Sequence, residues 1–198
     1  RSPEEKITAN GCLQPLRDLL TTDDIEIRRA GLCGLELAMQ CCVGFARWAL
    51  SMLADAGICE SLVKSLQHDS PEVHCSSLVA LGHIFRGSSV AEHRCNGTLP
   101  HLLNILTNGC VHVQGCVCYV LYWMTKDNKH IPNLVDADFF VPLIQALTNA
   151  HLNRDIARFA LPVLLNMLNI GPSEKIEFGK VCFGSIVVTK ISLRSLCA

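Results

Sequence analysis

Apolar residues recur at helical spacing in four short stretches of the chain: GCLQPLRDLL (11–20), GICESLVKSL (57–66), GTLPHLLNIL (97–106) and DFFVPLIQAL (138–147). In each, they form one stripe at i, i+3 and i+4, the mark of a helix that buries a single face. A longer run follows each stripe: EIRRAGLCGLELAM (26–39), EVHCSSLVALGHIF (72–85), HVQGCVCYVLYWM (112–124) and DIARFALPVLLNML (155–168). These runs are apolar on more than one side, which predicts helices sandwiched between neighbours. A shorter helix is predicted before each stripe, over 3–10, 43–56, 89–96 and 127–137.

The alternation is periodic. The stripe anchors Gly11, Gly57, Gly97 and Asp138 lie 46, 40 and 41 residues apart. The β-branched residues that open the long runs, Ile27, Val73, Val113 and Ile156, lie 46, 40 and 43 apart. Two markers that move in step near forty residues indicate a repeat whose units bury their faces only by stacking, a solenoid. The anchor glycines are expected to end the short helices in the left-handed conformation. TTDD, HDSPE and TNGC supply turn formers and N-caps between stripe and long run. Pro71 suits a first helical turn, whereas Pro162 is expected to kink the fourth long helix. The first unit is longer than the others, with its excess near MQCCVGFARW (39–48).

The run Gly-x-x-Pro-x-Leu-x-x-x-Leu in GTLPHLLNIL, followed by a long helix as in DSPEVHCSSLVALGHI, resembles the armadillo repeat family. The related HEAT repeat is the near alternative, and the short extra helix before Gly97 favours armadillo. The resemblance covers about residues 3–170. It implies an all-α, right-handed α–α superhelix of about four three-helix repeats, approximately 3–40, 43–86, 89–126 and 127–170. Residues 171–198 would be a partial fifth repeat or an irregular C-terminal tail.

Composition narrows the function classes. Of 198 residues, 49% are apolar and 18% charged, with a net charge of −1, which excludes a disordered chain. There is no basic footprint for nucleic acid and no apolar run long enough to span a membrane. Twelve cysteines lie largely at apolar helix positions without a disulfide-scaffold spacing, so reduced thiols and a cytoplasmic, or nuclear, location are expected. The start at Arg1-Ser2-Pro3, without Met, is expected of an internal fragment.

Catalysis is not expected. The chain has no phosphate loop, no G-x-S-x-G elbow and no H-E-x-x-H. No cofactor is expected either. Cys110, His112, Cys116 and Cys118 form the one zinc candidate by type. On a helix, however, Cys118 is rotated about 200° from Cys116, so buried thiols are the expected reading and no metal site is assigned. The NGT at 96–98 has the form of a glycosylation acceptor and is discounted in a chain of this composition.

What remains is a binding surface. In armadillo proteins the third helices line a concave face that holds extended peptides, and in the importin alpha branch a repeated Trp and Asn do the holding. Laid onto this chain, the Trp positions are Cys33, Val79, Tyr119 and Pro162, and the Asn positions are Leu37, His83, Trp123 and Asn166. Only Asn166 matches, which counts against an importin-like carrier of basic peptides. The same rows offer Tyr119 and Trp123 as flat surfaces, with His83, Arg86, Lys126 and Arg158 as basic neighbours. The expected role is a non-catalytic scaffold for a protein or peptide ligand, acidic or aromatic-anchored. The alternatives are the importin-like carrier and a regulatory segment of a larger signalling or ubiquitin-ligase protein.

Overall fold

The structure, a computed structural model, describes residues 15, 18–20, 22, 24–41, 58–87, 97–149, 154–170 and 184. The predicted helices at 3–10, 43–56 and 89–96, residues 42–48 of the long junction of the first unit and the 171–198 tail lie outside the described residues, Gly184 excepted. Among the described residues every regular element is a helix. In chain order these are α1 (Ile25–Cys41), α2 (Ile58–Ser65), α3 (Pro71–Gly87), α4 (Thr98–Asn108), α5 (Val111–Met124), a 3-10 turn (Asn128–His130), α6 (Ile131–Asp136), α7 (Phe140–Asn149) and α8 (Arg154–Ile170). The stripes and long runs of the sequence thus return as α2, α4 and α7 on the one hand and α1, α3, α5 and α8 on the other. The short helix expected over 127–137 is the 3-10 turn with α6.

The chain divides into two compact units, Arg1–His101 and Leu102–Ala198, with the boundary inside α4. In the first, α3 packs on α1 and α2; in the second, α8 packs on α5, α6 and α7. Long helices thus lie on long helices, because each has more apolar surface than its own stripe helix can cover. α5 shows this most clearly, with Val113, Val117, Cys118, Val120, Leu121 and Met124 all buried.

The turns carry the predicted chemistry in part. Asp24 caps α1, its Oδ1 accepting from the backbone N–H of Glu26 at 2.9 Å and of Ile27 at 3.2 Å. α3 opens at Pro71. Ser70 donates its hydroxyl to Glu72 at 2.8 Å, and that bond holds the Glu72 carboxyl below its usual range. Cys110 occupies the N-cap of α5 but makes no side-chain cap. There the turn is held by Gly109, whose N–H donates to the Ile105 carbonyl at 2.8 Å. A Cβ on Gly109 would stand 2.5 Å from that carbonyl oxygen, so the glycine is required by close approach.

Two buried side chains at the same position of their repeats do the same work. Arg28 donates through Nε to the Thr22 carbonyl at 2.9 Å, and Gln114 donates through Nε2 to the Leu106 carbonyl at 2.9 Å. Leu106 lies in the last turn of α4, where carbonyls lack helical partners, so the long helix satisfies the end of the element before it. The left-handed anchor appears at Asp138, with φ 58°. Gly97 does not adopt it, and the space where its Cβ would stand is open. α8 continues as one helix through Pro162.

Candidate functional site

In the second unit α5 and α8 bring an aromatic cluster together. Tyr119, Tyr122 and Trp123 fall within a little over one turn of α5, so their rings project to one side. Phe159 of α8 meets the two tyrosines, with ring centroids 5.2 Å from Tyr119 and 5.5 Å from Tyr122. Trp123 stands edge-on to both, 6.3 Å from Tyr119 at 84° and 5.1 Å from Tyr122 at 75°. Edge-to-face packing sets the positive rim of one ring against the negative face of the next. All four side chains are half-buried, so the cluster is seated in the fold and still reaches the surface.

Two cations lie over these rings. The Lys126 ammonium is 4.6 Å from the Tyr122 centroid, and the Arg158 guanidinium carbon is 5.2 Å from that of Phe159. Both residues are exposed. Each ring face draws the cation electrostatically, which holds the charge at the surface instead of letting it sweep. Asn166, the importin-like position, points back to the fold: its Nδ2 lies 3.4 Å from the carbonyl and 3.4 Å from the hydroxyl of Thr125, the C-cap of α5.

The structure therefore brings together Tyr119, Trp123, Lys126 and Arg158 of the sequence-predicted set and places Asn166 at the edge, occupied by Thr125. Tyr122 and Phe159 were not predicted. Their signal was present: Tyr122 follows Tyr119 by one turn, and Phe159 directly follows Arg158. A pattern search for importin-type rows passes over both.

His83 and Arg86 lie in the other compact unit, in the closing turns of α3. Arg86 is exposed and His83 half-buried. Burial, and secondarily the Arg86 guanidinium, holds the His83 imidazole below its ordinary 6.5. His83 is thus neutral near pH 7, and of the two only Arg86 is a standing cation. The sign for stability follows. The unfolded chain takes up a proton at 6.5 that folded His83 resists, so this contribution is present above 6.5 and is lost as pH falls through the lower folded value. Urea melts at neutral and mildly acidic pH are expected to show that loss, and His83→Gln to reduce the slope.

Of the four residues of the zinc candidate, His112 and Cys116 share a face of α5 with their ligand atoms within 4.8 Å of each other. Cys110 and His112 are exposed and Cys116 is half-buried. Cys118 is fully buried, and burial pushes its thiol up to about 12. A metal ligand must be thiolate, and Cys118 is held as the protonated thiol of a core residue. Among the described residues neither Cys110 nor Cys118 joins a cluster of three ligand atoms.

Several solved structures share this architecture. One designed armadillo repeat protein aligns at TM-score 0.74 with 20% identity, over 90% of this chain and 74% of its own. The chain has the armadillo-repeat solenoid fold. A second designed armadillo repeat protein, solved in complex with the peptide (KR)4, aligns at TM-score 0.76 with 22% identity over 89% of this chain and 73% of its own. A further engineered protein reaches TM-score 0.77 at 25% identity, covering 90% of this chain and 71% of its own. In sequence, importin subunit alpha-1a of Oryza sativa subsp. japonica is 31% identical over 121 residues, 53% of this chain. The matched stretch is 23% of that importin, so the armadillo chain spans under a quarter of this relative's length. No family model matches the sequence. No described helix is long and apolar enough to cross a membrane.

Proposed function

We propose that this armadillo protein is a non-catalytic scaffold that holds an acidic peptide segment of another protein against the surface shared by α5 and α8. The observation that carries this reading is the aromatic cluster whose faces are already topped by the chain's own Lys126 and Arg158. An incoming Lys or Arg stem would meet like charge over the rings it needs. A carboxylate would meet Arg158, whose planar fork donates to it bidentately, and an aromatic or aliphatic neighbour in the peptide would pack on Tyr119 and Trp123. Half-buried Trp and Tyr are the residue types that dominate interface energetics. The same reading puts the protein in the cytoplasm or nucleus, as its free cysteines and importin relative favour.

The importin likeness supports a second reading, a carrier of basic peptides. The two differ in ligand charge. Fluorescence polarisation with a labelled Glu/Phe-rich peptide and with (KR)4 is expected to show tighter binding of the acidic one; tighter binding of (KR)4 would establish the second reading instead. Trp123→Ala is expected to weaken the acidic peptide by about 2 kcal/mol, roughly thirtyfold in Kd, with the far-UV circular dichroism unchanged. A variant that loses helicity would show Trp123 to be core.

A further inference from the structure

Three of the four long helices open alike. Glu26 of α1, Glu72 of α3 and Asp155 of α8 occupy one column of the repeat register, each exposed in a first helical turn. A carboxylate there answers the positive end of the helix dipole. In α5 the same column holds His112, also exposed, and the first turn of α5 has no acidic residue. An imidazole brings no negative charge to the dipole, so helix electrostatics do not explain it. One turn on stands Cys116, half-buried, whereas Cys59 and Cys118 are core residues buried outright.

The two side chains converge. A ring nitrogen of His112 and the Sγ of Cys116 lie within 4.8 Å of each other. Residues four apart share a helix face, and two ligands so spaced can hold one ion between them. In a tetrahedral zinc site an imidazole nitrogen at about 2.0 Å and a sulfur at about 2.3 Å from the metal stand roughly 3.5 Å apart. A small side-chain rotation closes the pair to that span. The donor types select the ion: imidazole and thiolate suit Zn2+, whereas Mg2+ and Ca2+ take oxygen ligands. The face continues along α5, since residues 112, 116, 119 and 123 follow one another at spacings of four, three and four. His112 and Cys116 thus stand on the stripe that carries Tyr119 and Trp123.

We infer that His112 and Cys116 together bind one Zn2+ ion on this face of α5. Cys116 coordinates as the thiolate and releases its proton to solvent, and His112 offers the lone pair of a neutral ring nitrogen. Two of the four tetrahedral positions are left for water or for a ligand carried by another molecule. The pair sits on a helix whose core is already filled by Val113, Val117, Cys118 and Leu121, so the fold does not depend on the ion. The site needs no peptide on Tyr119 and Trp123 either. The ion alone tests it, and its failure would leave the scaffold reading untouched.

Zn2+ titrated into the 198-residue chain, with its thiols kept reduced by a phosphine, is expected to move the imidazole nitrogen resonances of His112 to saturation in NMR spectra. His112→Gln identifies those resonances by their loss, and other zinc-binding thiols of the chain report elsewhere in the spectrum. In Cys116→Ser the His112 response is expected to need at least about tenfold more Zn2+, the lower end of what even an outer-shell change costs a metal site. Mg2+ at the same concentrations is expected to leave His112 where it is. Circular dichroism checks that the variants stay helical, and Cys116→Ala replaces Cys116→Ser if that variant does not fold. A His112 resonance unmoved by Zn2+ overturns the inference. So does a response with the same midpoint in the Cys116 variant, because the two side chains then share no ion, and so does an equal response to Mg2+.

Discussion

Phe139→Ala is expected to lower the unfolding free energy by about 4 kcal/mol, a large part of what a domain of this size has in reserve. Phe139 is fully buried in the link between α6 and α7. Its backbone is fixed on both sides: its N–H donates to the Leu134 carbonyl at 3.2 Å, and its carbonyl accepts from Leu143 at 3.1 Å. The residue before it, Asp138, holds the left-handed turn. With the main chain tied this way, the neighbours cannot collapse into the space the ring leaves, so the cavity term adds to the lost transfer energy. Val141, in the first turn of α7 and 40% exposed, is the internal comparison. Val141→Ala is expected to cost less than about 1 kcal/mol. Urea melts of the two variants measure the difference, and a Phe139→Ala cost no larger than that of Val141→Ala would show that the link can repack.

The architecture was legible because stacking leaves a periodic trace. A unit that cannot cover its own apolar sides must repeat them, and the offsets between Ile27, Val73, Val113 and Ile156 record that repetition directly. Asp138 was legible in the same way, as the residue standing where the other stripes have Gly, and its left-handed φ explains why a short polar side chain can serve there. Gly97 was not, since a glycine permits the left-handed turn without requiring it. The cluster was half legible. Tyr119, Trp123, Lys126 and Arg158 follow from laying one helix on the next by register. Tyr122 and Phe159 needed the interhelical packing, because which of two neighbouring rings faces the partner helix depends on a rotation of some tens of degrees that a periodicity does not resolve. The neutral state of His83 and the raised thiol of Cys118 needed burial, a property of the neighbours and not of the residue.

Reversing both ring-capping charges, Lys126→Glu with Arg158→Glu, is expected to weaken acidic-peptide binding by about 2 kcal/mol or more, at least roughly thirtyfold. The aromatic cluster remains in place, because Tyr119, Tyr122, Trp123 and Phe159 contact one another without the cations. The variant therefore changes charge and leaves the apolar floor. Once no cation stands over Tyr122 or Phe159, a basic stem can reach the rings and finds carboxylates beside them, so (KR)4 is expected to gain what the acidic peptide loses. Exposed charges act through an attraction that salt screens. The wild-type affinity for the acidic peptide is accordingly expected to fall with added salt, and that of the double variant for (KR)4 to fall likewise. Association rates are expected to move more than dissociation rates, since steering acts before contact. Stopped-flow fluorescence at two ionic strengths separates the two. Unchanged affinity for both peptides in the double variant would remove Lys126 and Arg158 from the binding surface and leave the cluster as interhelical packing alone.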